Sequence, residues 1–322
     1  MKLSELSWLD KIYKNINFAN LPHGIIINGP EGVGKEILAL HIAKKLLLNT
    51  PDDANNKLFD SDNHPDFFYL NKDKILISHI TYRDDKWDDE KGKRNLIDFL
   101  STTSAISKNK VALVNNAQTM NIQSQNALLK SLEEPPTKSY IIMTTNRSKC
   151  LLDTIYSRCC ILNIPCPTSY EIDNWLVDNG IADIKAKNFP SFITPLKILN
   201  EIENNKHLNF KDFIETIIMF LNNKNDTNLT LKKIISLEID LITKVNFLVE
   251  FLKILVRSNL LSEELSGIYK ELNNTNFSNL KVSNLIDELN NLRYDFFKVP
   301  QINETHVLNY FLSELKNSIK LS

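Results

Sequence analysis

Cysteine and glycine are scarce: four Cys and seven Gly in 322 residues. Four thiols are too few for a disulfide-held scaffold of this length. Cys150, Cys159, Cys160 and Cys166 include no C-x-x-C pair, so they read as buried thiols and not as a metal site. Long apolar runs are missing too. Stretches such as Val111–Val114 and Ile217–Leu221 fall far short of the roughly 20 residues that span a bilayer. The opening Met1-Lys2-Leu3-Ser4-Glu5 lacks the apolar core of a signal peptide, so a cytoplasmic location without a membrane partner is expected. Nor does either charge dominate. Lys+Arg total 38 and Asp+Glu 39, a net charge of −1, which argues against an autonomous nucleic-acid binder and leaves a local basic patch open.

What is present is an ordinary globular balance, 43% hydrophobic and 24% charged. The length exceeds what one core usually organises, so two or three domains are expected. Asparagine is about 12% of the chain, read as a compositional bias and not as function. The first half alternates strand-like apolar runs with helical patterns. Gly24–Asn28, Phe67–Leu70, Val111–Val114, Tyr140–Thr145 and Ile161–Ile164 read as strands. Glu36–Leu48, Asn95–Ile106 and Gln123–Glu134 read as helices, the last stopped by Pro135-Pro136. This alternation predicts a parallel sheet with helices on both faces. After Pro165-Cys166-Pro167 the pattern turns helical: Tyr170–Val177 first, then Thr243–Val256 and His306–Ile319, with Asn-rich joints at Asn222–Asn228 and Asn273–Asn276 and no strand expected beyond about Asn205. The reading is three parts: an α/β nucleotide-binding-type domain over 1–166, a small helical lid over 167–205, and an all-α collar over 206–322.

Gly29-Pro30-Glu31-Gly32-Val33-Gly34-Lys35-Glu36 follows the first strand and opens the first helix. It fits G-x-x-x-x-G-K, the loop whose backbone N–H groups and helix N-terminus cradle phosphate, with Lys35 placed for the β/γ-phosphates. The next residue should offer a hydroxyl to Mg²⁺; here it is Glu36, a carboxylate. After the third strand a working ATPase needs carboxylates for the metal and the attacking water. This chain has Asn115-Asn116, two neutral amides. All three changes point to a phosphate loop that no longer hydrolyses. No cofactor is therefore required, and ATP/Mg binding is expected to be weak or absent.

Two further segments are specific. Lys110-Val111-Ala112-Leu113-Val114-Asn115-Asn116-Ala117 precedes Asn126-Ala127-Leu128-Leu129-Lys130-Ser131-Leu132-Glu133-Glu134-Pro135-Pro136. Thr144-Thr145-Asn146 then precedes Leu151-Leu152-Asp153-Thr154-Ile155-Tyr156-Ser157-Arg158-Cys159. In this order and spacing they resemble the AAA+ subunits of bacterial clamp loaders, clearly over residues 8–200. The altered Glu36, Asn115 and Asn116, the retained Ser-Arg-Cys motif and the modest length resemble the delta-prime branch, as opposed to the gamma/tau motor subunits.

The resemblance implies a P-loop AAA+ module, a helical lid and a C-terminal collar that joins a five-subunit ring. It implies a non-hydrolysing stator of the DNA polymerase III clamp loader, with gamma/tau motor subunits, the delta subunit, the sliding clamp and primer–template DNA as partners. Arg158 would be the arginine finger offered to a neighbouring subunit's ATP, with Arg147 the alternative. Gly29, Gly32, Gly34 and Lys35 would form the degenerate phosphate loop, with Thr145 and Asn146 beside it. Lys130 would face DNA, or simply water. The family often carries four zinc-binding cysteines between the first helix and second strand; Asn49–Asp66 has none and reads as a polar loop, so no metal is expected. The lid lacks an evident sensor arginine, Lys197 being the nearest cation. His64-Pro65-Asp66 reads as the start of the second strand, Trp8, Trp175 and His23 as packing residues, and Asp84–Glu90 as an exposed acidic stretch. Two other readings stay open: an active ATPase of the gamma/tau type, and a nucleotide-sensing regulator.

Overall fold

The structure is a computed structural model that describes residues 2–48, 53–81, 95–273, 275–296 and 303–321. Its contacts divide the chain into two units, Met1–Ile181 with Thr194–Lys197, and Ala182–Ile193 with Ile198–Ser322.

The first unit is built on a five-stranded parallel sheet. Its strands are β1 (Gly24–Asn28), β2 (Phe67–Asn71), β3 (Lys110–Asn115), β4 (Ser139–Thr145) and β5 (Cys160–Asn163), in the order β2-β3-β4-β1-β5. The central strands are buried on both sides because each face is covered. Ile26, Ala112, Val114, Ile141 and Met143 point to one face, where they pack with Phe99, Leu128, Leu132 and Ile155. These partners lie on α5 (Leu96–Ser101), α6 (Ile122–Glu133) and α7 (Asp153–Tyr156). The alternate residues Ile25, Ile27, Val111, Leu113 and Ile142 are equally buried, and α2 (Lys35–Leu47) packs against β1, β3 and β4. Before it, α1 (Ser7–Lys14) rests on α2.

Two local readings are corrected. The segment read as a polar loop contains helix α3 (Asp53–Asp60), anchored by buried Phe59 against Phe67 with ring centroids 4.8 Å apart. The helix read over Asn95–Ile106 stops at Ser101. Beyond it, the N–H groups of Ala105, Ile106 and Ser107 bind the buried Asp66 carboxylate at 2.6, 2.9 and 2.7 Å, and N–H groups held this way cannot continue a helix ladder. His64 is buried beside it, its ring facing the Ser107 hydroxyl at 3.2 Å, so His64-Pro65-Asp66 fastens a loop. A four-residue helix, α4 (Ile77–Ile80), packs on α6. The stretch 84–90 and residues 49–52 lie outside the described residues.

Helix α8 (Ser169–Asp178) begins with a capping box between Thr168 and Glu171. Helix α9 is Pro195–Glu203. The second unit carries α10 (Asn209–Leu221), α11 (Thr227–Ile235), α12 (Leu241–Leu261), α13 (Asn279–Phe296) and α14 (Glu304–Ser318) around one apolar core that includes Phe213, Phe220, Phe251, Leu252 and Phe311. Asp226, Asp240 and Asn303 cap three of these helices. Lys244 is 2% exposed and bonded to Glu304 at 2.6 Å, joining α12 to α14. The expectation of no strands here is corrected. β6 (Thr275–Phe277) pairs antiparallel with β7 (Ile319–Leu321), and Ile319 leaves the helix to enter the core through this ribbon. Three-residue strands are too short to show an alternation in sequence. No helix among the described residues is long and apolar enough to cross a membrane.

Candidate functional site

The phosphate loop joins β1 to α2. Gly32 (φ +82°) and Gly34 (φ +92°) adopt the left-handed conformation that lets the chain curl, and Gly34 caps α2. Space is equally demanding: a Cβ on Gly32 would collide with the Thr194 hydroxyl, and one on Gly34 with Leu9.

The loop's outward carbonyls are taken in succession. Pro30 O accepts from Lys35 Nζ (2.7 Å), Glu31 O from Thr194 Oγ1 (2.7 Å), Gly32 O from Leu196 N (3.0 Å) and Val33 O from Trp8 Nε1 (2.9 Å). Lys197 adds an ion pair to Glu31 at 2.9 Å. Trp8 in turn meets Trp175 edge-to-face at 5.7 Å, so the two are packing residues and Trp8 is also a loop clamp. Lys35 is 6% exposed. Burial pulls its pKa down to about 8, with Lys197 pushing the same way and Glu31 opposing.

Two of the three substituted side chains, Glu36 and Asn115, meet in one network, which Asn116 joins through its backbone N–H while its side-chain Oδ1 accepts from Gln118 Nε2 at 3.3 Å. Glu36 Oε1 accepts from the Tyr69 hydroxyl, and Glu36 Oε2 accepts from Asn115 Nδ2 at 3.1 Å. Asn115 Oδ1 accepts from Thr144 Oγ1 at 2.6 Å, and that oxygen accepts the Asn116 N–H at 2.9 Å. The Tyr69 pKa is raised, first by burial and then by its bond to the Glu36 carboxylate. At position 115 an amide donor, and not an anion, faces the Glu36 carboxylate, which is the pairing that a carboxylate at position 36 requires. Tyr69 was not singled out by sequence; its place on β2 with Phe67, two residues away, carried the signal that it shares a face.

This arrangement does not fit Mg²⁺. Glu36 is the single carboxylate in the network, and both of its oxygens are already accepting hydrogen bonds. Among the described residues no group of three or more His, Cys, Asp or Glu side chains could hold a metal ion. Thr145 and Asn146 lie beside the start of the loop: Thr145 O accepts the Gly29 N–H at 3.2 Å, and Asn146 lines one pocket with Gly29 and Pro30. The Thr145 hydroxyl donates to Asn28 Oδ1 at 3.1 Å, and the Asn146 N–H to Gln118 Oε1 at 3.3 Å. Asn28 also donates to Asn163 Oδ1 (3.0 Å) and Ser148 Oγ (3.2 Å), closing an amide cluster at the ends of β1 and β5.

Arg158 lies between α7 and β5. Its Nη2 pairs with Glu133 Oε1 at 2.7 Å, and its Nη1 donates to Thr154 O (2.8 Å) and Ser157 Oγ (3.1 Å). The side chain keeps 33% exposure, and Glu133 keeps 49%. Arg147 and Lys130 are exposed. His23 bonds the carbonyl of Leu132 at 2.7 Å, a packing role. None of the four cysteines is in a disulfide. Three are half-buried, but Cys166 is exposed, because it follows the edge strand β5, and the buried reading is corrected there. Burial, aided by Cys160, pushes the Cys159 thiol up to about 12, so it is unreactive.

The family described as DNA polymerase III, delta subunit, matches residues 6–168. A DNA polymerase III subunit delta' from Pseudomonas aeruginosa is 33% identical over 165 residues, 48% of this chain and 46% of that protein. One from Buchnera aphidicola (subspecies Baizongia pistaciae) is 26% identical over 237 residues, 68% of each. A solved gamma subunit-related protein from Thermotoga maritima, 17% identical, aligns over 98% of this chain and 99% of its own with a TM-score of 0.44. The chain thus covers less than half of the Pseudomonas relative and about two thirds of the Buchnera one.

Proposed function

Since the chain belongs to the DNA polymerase III delta subunit family, we propose that it is the delta-prime stator of a clamp loader, which helps place the sliding clamp on primed DNA without hydrolysing ATP itself. The observation that carries this reading is the closed Tyr69–Glu36–Asn115–Thr144–Asn116 network. It puts a carboxylate and the Asn115 amide, with Asn116 next in the chain, where phosphoryl transfer requires a hydroxyl, a metal and a base. An amide does not take a proton near neutral pH, and a carboxylate beside a triphosphate opposes binding by charge.

Arg158 is the residue proposed to act, on the ATP of a neighbouring motor subunit. Its guanidinium stays charged and presents a planar fork, which suits a transferring phosphoryl group. The proposed partners are gamma/tau motor subunits and a delta subunit, with the clamp and primer–template DNA met inside the assembly, in the cytoplasm. The lid over 167–205 and the collar over 206–322 are proposed to carry the ring contacts.

The test is reconstitution. Motor and delta subunits assembled with this chain should hydrolyse ATP at least about tenfold faster than the same subunits without it, since trans arginines contribute on the order of 10³–10⁵ in well-studied NTPases. Equal rates with and without the chain would refute the reading.

A further inference from the structure

The Arg158 side chain does not stand free. Three of its hydrogen bonds go to its own unit: Glu133 Oε1 at 2.7 Å, Thr154 O at 2.8 Å and Ser157 Oγ at 3.1 Å. Two of these partners belong to the same short turn as the arginine. Glu133 alone is supplied from a different element, the last residue of α6. That helix end is also the negative pole of its dipole, so it draws a guanidinium independently of the carboxylate. We infer that Glu133 is a latch, a positioning residue that holds Arg158 against its own subunit until a more negative acceptor is presented; this rests on the trans-finger reading given above.

The strength of the pair decides how such a latch behaves. With the two side chains 33% and 49% exposed, the pair is solvent-screened. Exposed pairs of this kind shift an equilibrium by less than about fivefold. A phosphoryl group carries more negative charge than one carboxylate and accepts the same planar fork, so it displaces Glu133 readily. The latch therefore sets a threshold and does not abolish the finger. A buried pair would have been costly to break and would have locked the arginine in place.

Glu133→Gln keeps the shape and removes the charge. In the purified full-length chain, phenylglyoxal labelling of Arg158, followed by peptide mass spectrometry, should become about two- to fivefold faster. Labelling of the exposed Arg147 and the thermal midpoint should stay constant. In the assembled loader, Glu133→Gln should raise ATP hydrolysis by a similar factor, and the rise should vanish when Arg158→Ala is added. Glu134→Gln, one residue on and without a contact to Arg158, should change neither readout. An unchanged labelling rate, a slower loader, or a rise that persists without Arg158 or appears equally with Glu134→Gln would overturn the latch. If Arg158→Ala alone leaves the loader's rate unchanged, the trans-finger reading fails, and the labelling experiment still decides whether Glu133 restrains the arginine.

Discussion

The phosphate loop and the Arg158 turn spend their polar groups in opposite ways. At the loop, four successive carbonyls, the lysine, and the carboxylate and amides at the substituted positions are satisfied by neighbours within the same unit. At Arg158 a permanent charge is kept near the surface behind one exposed carboxylate. A closed hydrogen-bond network is stiff, because each unmade bond inside it leaves a desolvated group unsatisfied. An exposed ion pair is easily exchanged. The difference separates a part that holds its shape from a part that is available to another molecule.

The sharpest way to break this contrast is to remove the available part. In a reconstituted loader, Arg158→Ala should slow steady-state ATP hydrolysis at least about tenfold, while the melting curve of the isolated chain barely moves. A silent variant would leave the exposed arginine without its role.

A second experiment attacks the closed part. Asn115→Asp places a carboxylate about 3 Å from Glu36 in place of a donor. Denaturant unfolding should show a loss of about 2 kcal/mol, largely recovered when Glu36→Gln is added. If Asn115→Asp were neutral or instead created Mg²⁺-dependent nucleotide binding, the network would not be what holds this pocket closed.

The remaining effects are smaller. Burial would raise the Asp66 pKa, but the N–H groups of Ala105, Ser107 and Ile106 outweigh it and hold the group below its ordinary value. The depressed folded pKa means that Asp66 adds stability above the unfolded value near ~3.9 and loses it as pH falls through the folded one. Asp66→Asn should flatten the acid limb of a stability–pH curve below about pH 4. Lys35 has the opposite sign. Its folded pKa of about 8 lies below the ordinary 10.5. The unfolded chain thus holds the proton more tightly, and stability should rise with pH between those two values. Lys35→Met should remove that rise and alter the assembled loader's ATP hydrolysis less than about twofold, since Lys35 serves a backbone carbonyl.

Much of this contrast was legible in the sequence. The strand–helix alternation gave the five strands within a residue or so, because short apolar runs stood between helical patterns, both in the buried β1, β3 and β4 and in the edge strands β2 and β5. Glu36, Asn115 and Asn116 stood out because the phosphate-loop spacing says what should occupy those positions. What escaped was pairing across distance. Tyr69 reads as one more strand aromatic, and only the sheet brings it to Glu36. Glu133 reads as an ordinary helix-end acid, and only the packing of α6 beside the Arg158 turn makes it a partner. Asp66 shortened α5 through bonds to residues 39 to 41 positions away, which no local propensity encodes. The β6–β7 ribbon joins segments more than 40 residues apart and too brief to show a period.

The central claim is that this chain's own pocket performs no phosphoryl chemistry. Steady-state phosphate release by the purified chain, with ATP and Mg²⁺ in excess, tests it most directly. The account predicts a rate indistinguishable from buffer; sustained Mg²⁺-dependent turnover that Lys35→Ala abolishes would contradict it.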